Sequence, residues 1–195
     1  EQCDNMIGQT QLTEGALDVQ TSQELLRAPV AYGAEINDLL LAALGLALHQ
    51  WQRHCFSTPA TKDHAILLEG HGRESALDLT RTVGWFTSLF PVRLPVSHLD
   101  IDDPTTPGRA IQAVKDQLRT LPSRGLAFGI LQHLDPEQPL APALDAMPTL
   151  LFNYLGQVGE SSASDDVWSL SNGELTTARE EPGRRRPSVL EINSG

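Results

Sequence analysis

In the stretch "HAILLEGHGRE", an apolar run gives way to Glu69, His71, Arg73 and Glu74, packed around Gly70 and Gly72. Glu69 and His71 stand two apart at what reads as a strand end, so a regular strand sends both side chains to one face. A carboxylate beside an imidazole offers a proton acceptor and a proton donor for general acid–base chemistry, or two of the ligands a metal ion needs. A zinc site requires a third and fourth ligand at matching spacing. His54, His64 and His71 form no HExxH or comparable pattern, so no metal is expected. There is no GxSxG to present a serine nucleophile and no GxxxxGK[ST] to cradle phosphate. Cys55 follows His54, but adjacent helix positions point in different directions, which argues against a thiol–imidazole pair. On these residues alone both meanings stay open: an acid–base site, or a hydrogen-bonded turn, which is the commoner use of such a cluster.

The elements around the cluster read as an alternation of helices and strands, hence an α/β chain. "TSQELLR" opens with a capping box of Thr21 and Glu24 and stops before Pro29. The apolar residues between about Asn37 and His54 run for more than two turns without β-branching and cover nearly the whole circumference. That pattern predicts a helix buried on several sides, with Asn37 and Asp38 satisfying free N–H groups in its first turn. His64 to Gly70 reads as a strand ended by glycine. Ser88 to Val96 reads as an edge or irregular strand, because Pro91 and Pro95 cannot donate to a ladder. "TPGRAIQAVKDQLRTLP" predicts a helix with Thr106 as N-cap, Pro107 at the first position, and Ile111, Val114 and Leu118 at helical spacing. "GLAFGILQHL" predicts a short helix and "PTLLFNYLGQV" a strand. The first twenty or so residues read as loop with room for a strand, and Gly159 to Gly183 as exposed loop with room for a weak hairpin. "SVLEINS" has strand character but no visible partner or cap.

The 195 residues are 40% apolar and 20% charged, enough for one domain or one large lobe with a substantial core. A formal net charge of −11, from 25 acids against 14 Lys and Arg, disfavours nucleic acid and anionic membrane as partners. The run Arg184 to Arg186 reads as a solvated turn. Cys3 and Cys55 make no disulfide framework, which fits a reducing cytoplasm. The apolar run Leu39 to Leu48 is too short to span a bilayer. No signal peptide is visible, and the opening "EQCDN" suggests a piece of something longer.

"EINDLLLAALGLAL", "EGHGRE", "RTVGWFTSLFPVRL", "PSRGLAFGIL" and "FNYLGQ" follow one another between Glu35 and Gln157. Together they resemble the later motifs of epimerization domains of nonribosomal peptide synthetases. Those domains belong to the condensation-domain superfamily, whose two-lobed fold is similar to chloramphenicol acetyltransferase. The epimerization subtype rests on "EGHGRE" and "RTVGWFTSLFPV", since peptide-bond-forming relatives resemble "GRE…MIGFFVNTLPLR" there. Two departures stand out. Ala127-Phe128-Gly129 replaces the usual Gly-Tyr-Gly and loses a phenol, and the family's His-His-x-x-x-Asp motif occurs nowhere in this sequence.

The resemblance implies a lobe with a mixed sheet flanked by helices, half of a two-lobed condensation-type domain. Residues 1–195 would form one partial domain, lacking the N-terminal lobe and the closing segment. The implied reaction inverts, L to D, the α-carbon of an aminoacyl or peptidyl thioester held on the phosphopantetheine arm of a carrier domain, with no cofactor bound directly. Glu69 is then one acid–base group and the absent His motif supplies the other. A carboxylate ending an apolar strand is expected to lose solvation, which raises its pKa. Asn153 and Tyr154 point to opposite faces of a regular strand, so at most one faces substrate, either bonding the thioester or enolate oxygen or packing against a lobe. His71 is expected to orient Glu69, and Arg73 with Glu74 to hold the turn by a charge-assisted bond. Arg81 is expected to pair with Asp78 or a backbone carbonyl, and Trp85 and Phe86 to sit in the core or the tunnel wall. The partners implied are a peptidyl carrier domain and the missing lobe. Alone, the lobe is expected to be inactive and to self-associate through its uncovered face. A condensation domain forming a peptide bond is the alternative within the fold. A non-catalytic carrier-recruitment lobe is the alternative outside catalysis, and it would lack Glu69.

Overall fold

Three consecutive residues, Ile66, Leu67 and Leu68, are all buried, the mark of a strand covered on both faces. In the computed structural model, which describes residues 5–56, 62–73, 78–134, 147–156 and 181–195, they lie in β1 (His64–Gly70). The other strands are β2 (Ser88–Leu94), β3 (Leu150–Tyr154) and β4 (Leu190–Ser194), in the order β2-β1-β3-β4. β2 runs antiparallel to β1, whereas β1, β3 and β4 are mutually parallel, so the sheet is mixed. β2 lies at an end of this sheet, which is where a strand containing Pro91 can be tolerated.

The sheet corrects one expectation. The segment "SVLEINS" does have a partner: all five residues of β4 pair with β3, from Leu150 against Leu190 to Tyr154 against Ser194. Parallel pairing joins segments distant in sequence, so nothing local in "SVLEINS" could announce it.

Four α-helices accompany the sheet: α1 (Val19–Arg27), α2 (Ile36–Cys55), α3 (Thr106–Arg119) and α4 (Leu126–Leu134). Ile66 and Leu68 of β1, Phe90, Val92 and Leu94 of β2, and Phe152 of β3 alternate onto one face. There they form one core with Leu39, Leu41 and Ala42 of α2 and Ala110, Ile111 and Val114 of α3. α2 keeps Ala43 and Ala47 in solvent, so its burial covers several sides but not all. Its first turn is closed by Asp38, whose carboxylate accepts the Glu35 N–H at 2.8 Å. Among the described residues, no single helix is long and apolar enough to cross a membrane.

Helix starts differ from expectation where a stronger acceptor lies upstream. α1 begins at Val19, and the Asp18 carboxylate accepts both the N–H and the hydroxyl of Thr21 at 2.8 Å. An ionised oxygen facing the helix dipole outcompetes the predicted threonine cap, and Glu24 instead accepts from Gln20 at 3.0 Å. At α3 the cap position is Thr105, while the hydroxyl of Thr106, inside the first turn, donates to the Asp100 carbonyl. The N-terminal stretch holds a short 3-10 turn, Ile7–Gln9, and the strand allowed for there reduces to a single bridge between Met6 and Arg185. Arg184 and Arg185 are exposed as expected, but Arg186 is half-buried and pairs with Glu191 at 3.5 Å. Trp85 is not core: it is 91% exposed, while Phe86 is half-buried. Cys55 is a free, exposed thiol. Glu74, Cys3 and most of the stretch read as loop from Gly159 lie outside the described residues.

Candidate functional site

β1 and β3 run side by side and end together, with Glu69 and Gly70 closing one and Tyr154 the other. The carboxyl ends of parallel strands are where α/β sheets leave room for ligands. A pocket of about 500 Å³ opens there, with Glu69, His71 and Tyr154 in its wall. The first turn of α2 contributes Glu35, Asn37 and Asp38, and the end of α3 with the turn after it contributes Arg119 and Arg124. Leu68, Phe90 and Leu118 supply apolar lining. The mixture of carboxylates, guanidiniums, a carboxamide and a phenol over an apolar base is what a site for a polar acyl group needs.

Each wall is fixed by contacts that local sequence explains. The 3-10 turn Ala28–Tyr32 leads to Gly33, which adopts φ 54°, and the chain then enters α2. Two cations of α3 hold that turn: Lys115 Nζ donates to the Tyr32 carbonyl at 2.8 Å, and Arg119 Nη2 to the Gly33 carbonyl at 2.9 Å. Lys115 is itself buried, so its charge depends on that bond. On the opposite wall, Ser123 and Arg124 both adopt left-handed φ values, 47° and 49°. Two such non-glycine residues in succession are costly, and strain of this kind gathers at functional sites. Gly125 follows at φ 90°, and a Cβ there would sit 2.3 Å from the Phe90 ring.

The "EGHGRE" turn is shaped from within. Gly72 adopts φ 65°, and a Cβ on it would meet the Phe86 carbonyl at 1.6 Å, so only glycine lets the two backbones approach. Arg73 Nη1 donates to the Leu79 carbonyl at 2.9 Å, and both Nη1 and Nη2 donate to the Thr82 carbonyl at 3.2 Å. Its guanidinium lies 4.4 Å from the centroid of the Phe86 ring. Arg73 thus ties the turn to the segment that carries Trp85.

The expected pairing of Arg81 with Asp78 is not formed. The Asp78 carboxylate accepts the Thr80 hydroxyl at 2.6 Å and the Thr80 N–H at 3.1 Å, which holds it below the usual carboxylate range. Arg81 is exposed. The carbonyl contacts expected of Arg81 belong to Arg73, because Arg73 lies beneath the turn and Arg81 on its outer side. His71 is exposed and shares no hydrogen bond with Glu69 among the described residues. Tyr154 lines the pocket, whereas Asn153 is not among its walls. Sequence reasoning does not single out Glu35, Asn37, Arg119 or Arg124 for chemistry. Three of them lie inside the motifs "EINDLL" and "PSRG", but only the fold brings them to one place. Among the described residues, no cluster of three or more His, Cys, Asp or Glu could hold a metal ion.

The model of the condensation domain family matches residues 7–183, nearly the whole chain. The chain belongs to the condensation domain family. Its fold is accordingly that of chloramphenicol acetyltransferase-like proteins, with a mixed sheet flanked by helices. The condensation-type lobe is 39% identical over 186 residues to a linear gramicidin synthase protein of Brevibacillus parabrevis, covering 92% of this chain and 3% of that protein. It is 46% identical over 186 residues to chondramide synthase cmdD of Chondromyces crocatus, covering 91% of this chain and 4% of that protein. The chain therefore spans only a small fraction of the synthases it matches. Among solved structures, the epimerization domain from the third module of tyrocidine synthetase B superposes with a TM-score of 0.72 at 35% identity. That match covers 99% of this chain and 41% of the tyrocidine domain.

Proposed function

We propose that this condensation-type chain is the C-terminal lobe of an epimerization domain and that it inverts the α-carbon of an acyl thioester presented by a peptidyl carrier domain. The observation that carries the reading is Glu69, a carboxylate at the open end of a buried parallel strand, in the wall of a pocket it shares with Tyr154. The resemblance in fold and sequence to the tyrocidine epimerization domain supports it.

The chemistry asks for little more. A thioester acidifies its α-hydrogen relative to an amide, and a positioned carboxylate of suitable basicity takes that proton. The charge then spreads to the thioester oxygen, where a phenolic hydroxyl such as that of Tyr154 donates a hydrogen bond that strengthens as the enolate forms. Inversion requires the proton to return from the other face. We assign that second group to the N-terminal lobe, which completes the site. Arg73 serves as a positioning residue for the turn that follows Glu69.

The test is stereochemical. A carrier loaded with an L-acyl thioester is incubated with the natural domain, both lobes present, and the released acid is resolved by chiral chromatography. Appearance of the D form with the natural domain, and its loss in Glu69→Gln, is the expected outcome. Peptide-bond formation with a second loaded carrier, with no D form, would overturn the epimerase reading and favour the condensation activity for which the family is described.

A further inference from the structure

One polar residue in the pocket has no structural employment. The first turn of α2 is already closed by Asp38, whose carboxylate takes the Glu35 N–H. Asn37, expected to share that task, does not: its Oδ1 is shut off from solvent and has no hydrogen-bond partner. A buried amide oxygen left unpaired is destabilising, and native proteins leave few of them. Four other such atoms occur among the described residues, on His49, Gln52, His64 and Ser188. None of those residues lines the pocket, and Asn37 does. The torsion that orients a carboxamide is broad, so a small rotation turns Oδ1 toward an occupant without disturbing the helix.

We infer that Asn37 is a substrate-binding residue whose carboxamide oxygen accepts the backbone amide N–H of a peptidyl group held at Glu69. The inference rests on the proposed function and narrows its substrate class from any acyl thioester to a peptidyl one. A neutral oxygen at a helix start suits a neutral amide N–H. The ammonium of a lone aminoacyl group would seek a carboxylate instead, and would meet the positive end of the α2 dipole. Arg119 and Arg124 in the same pocket add to that bias against a cation.

The experiment compares three ligands on the natural two-lobed domain by calorimetry. They are a dipeptidyl pantetheine amide, the same compound N-methylated at its peptide nitrogen, and the aminoacyl pantetheine amide. The natural domain is expected to bind the N–H dipeptidyl compound about tenfold more tightly than either of the others, the scale of one good hydrogen bond. Asn37→Ala is expected to abolish the preference over the N-methyl compound, and Asn37→Asp, which keeps an acceptor oxygen, to restore part of it. An unchanged preference in Asn37→Ala, or equal binding of all three ligands by the natural domain, overturns the inference. Deuterium exchange at the α-carbon is read in parallel. A preference that depends on Asn37, with no exchange, supports this binding role while removing the epimerase reading, so the two failures are distinct.

Discussion

The two ends of β1 use polar residues in opposite ways. At its start, His64 is half-buried, close enough to His49 for their charges to interact, and beside Asp63. Burial first, and the charge of His49 second, push His64 below its ordinary value of 6.5, against the pull of Asp63. Asp63 in turn anchors the far side. Burial raises its pKa, but the Ser97 hydroxyl at 2.7 Å, the Ser97 N–H at 3.1 Å and Arg93 at 3.7 Å together bring it below 3.8. At its other end, Glu69 enters a pocket of about 500 Å³ whose walls come from α2, α3 and β3. Both ends carry ionisable groups on an apolar strand. Whether such groups become scaffold or chemistry is decided by what the rest of the chain folds over them.

If the closed end and the strand interior carry stability while the open end carries function, changes in the two regions should separate. Ile66→Ala removes a fully buried side chain from the core. It is expected to cost about 2–5 kcal/mol in chemical denaturation, and a loss under about 1 kcal/mol would show that the strand interior is not the keystone. Tyr154→Phe should lower the α-proton exchange rate on the order of ten- to a hundredfold, or about 1.4–2.7 kcal/mol of barrier. Its denaturation midpoint should stay nearly unchanged, and a matching fall in stability would assign the phenol to packing. Asp63→Asn keeps the shape but weakens two bonds to Ser97, so a loss of about 1 kcal/mol is expected with exchange activity retained.

The smallest effect is the titration of the closed end. Because the His64 pKa is lower folded than unfolded, protons favour the unfolded chain. Its contribution to stability is present above pH 6.5 and is lost as pH falls from there through the folded value. Asp63, also depressed, contributes above pH 3.8 and loses that contribution at still lower pH. Thermal midpoints measured downward from pH 7.5 should therefore decline first near pH 6.5, and His64→Gln should flatten that first step. A midpoint rising on acidification through this range would reverse the assignment.

Much of this arrangement is legible in the sequence because it depends on near neighbours. Apolar period and prolines place α2, α3 and the edge strand β2, and the glycines of "EGHG" mark the end of β1. What is not legible depends on distance. β4 finds β3 in parallel across a long gap, and Arg119 reaches the Gly33 carbonyl from another helix. Trp85 is apolar yet 91% exposed, because hydrophobicity alone does not say which way a loop residue turns. Asn37 reads as a capping residue in the sequence, and only the observed bond from Glu35 to Asp38 shows that its carboxamide is spare.

The central claim, that Glu69 moves a proton, is tested most directly by isotope exchange. The natural domain and Glu69→Gln are each given a carrier loaded with an L-peptidyl thioester in heavy water, and deuterium at the α-carbon is followed by mass spectrometry. Exchange is predicted in the natural domain, with a loss of at least about a hundredfold in the variant. Equal exchange in both would return the "EGHGRE" turn to scaffolding.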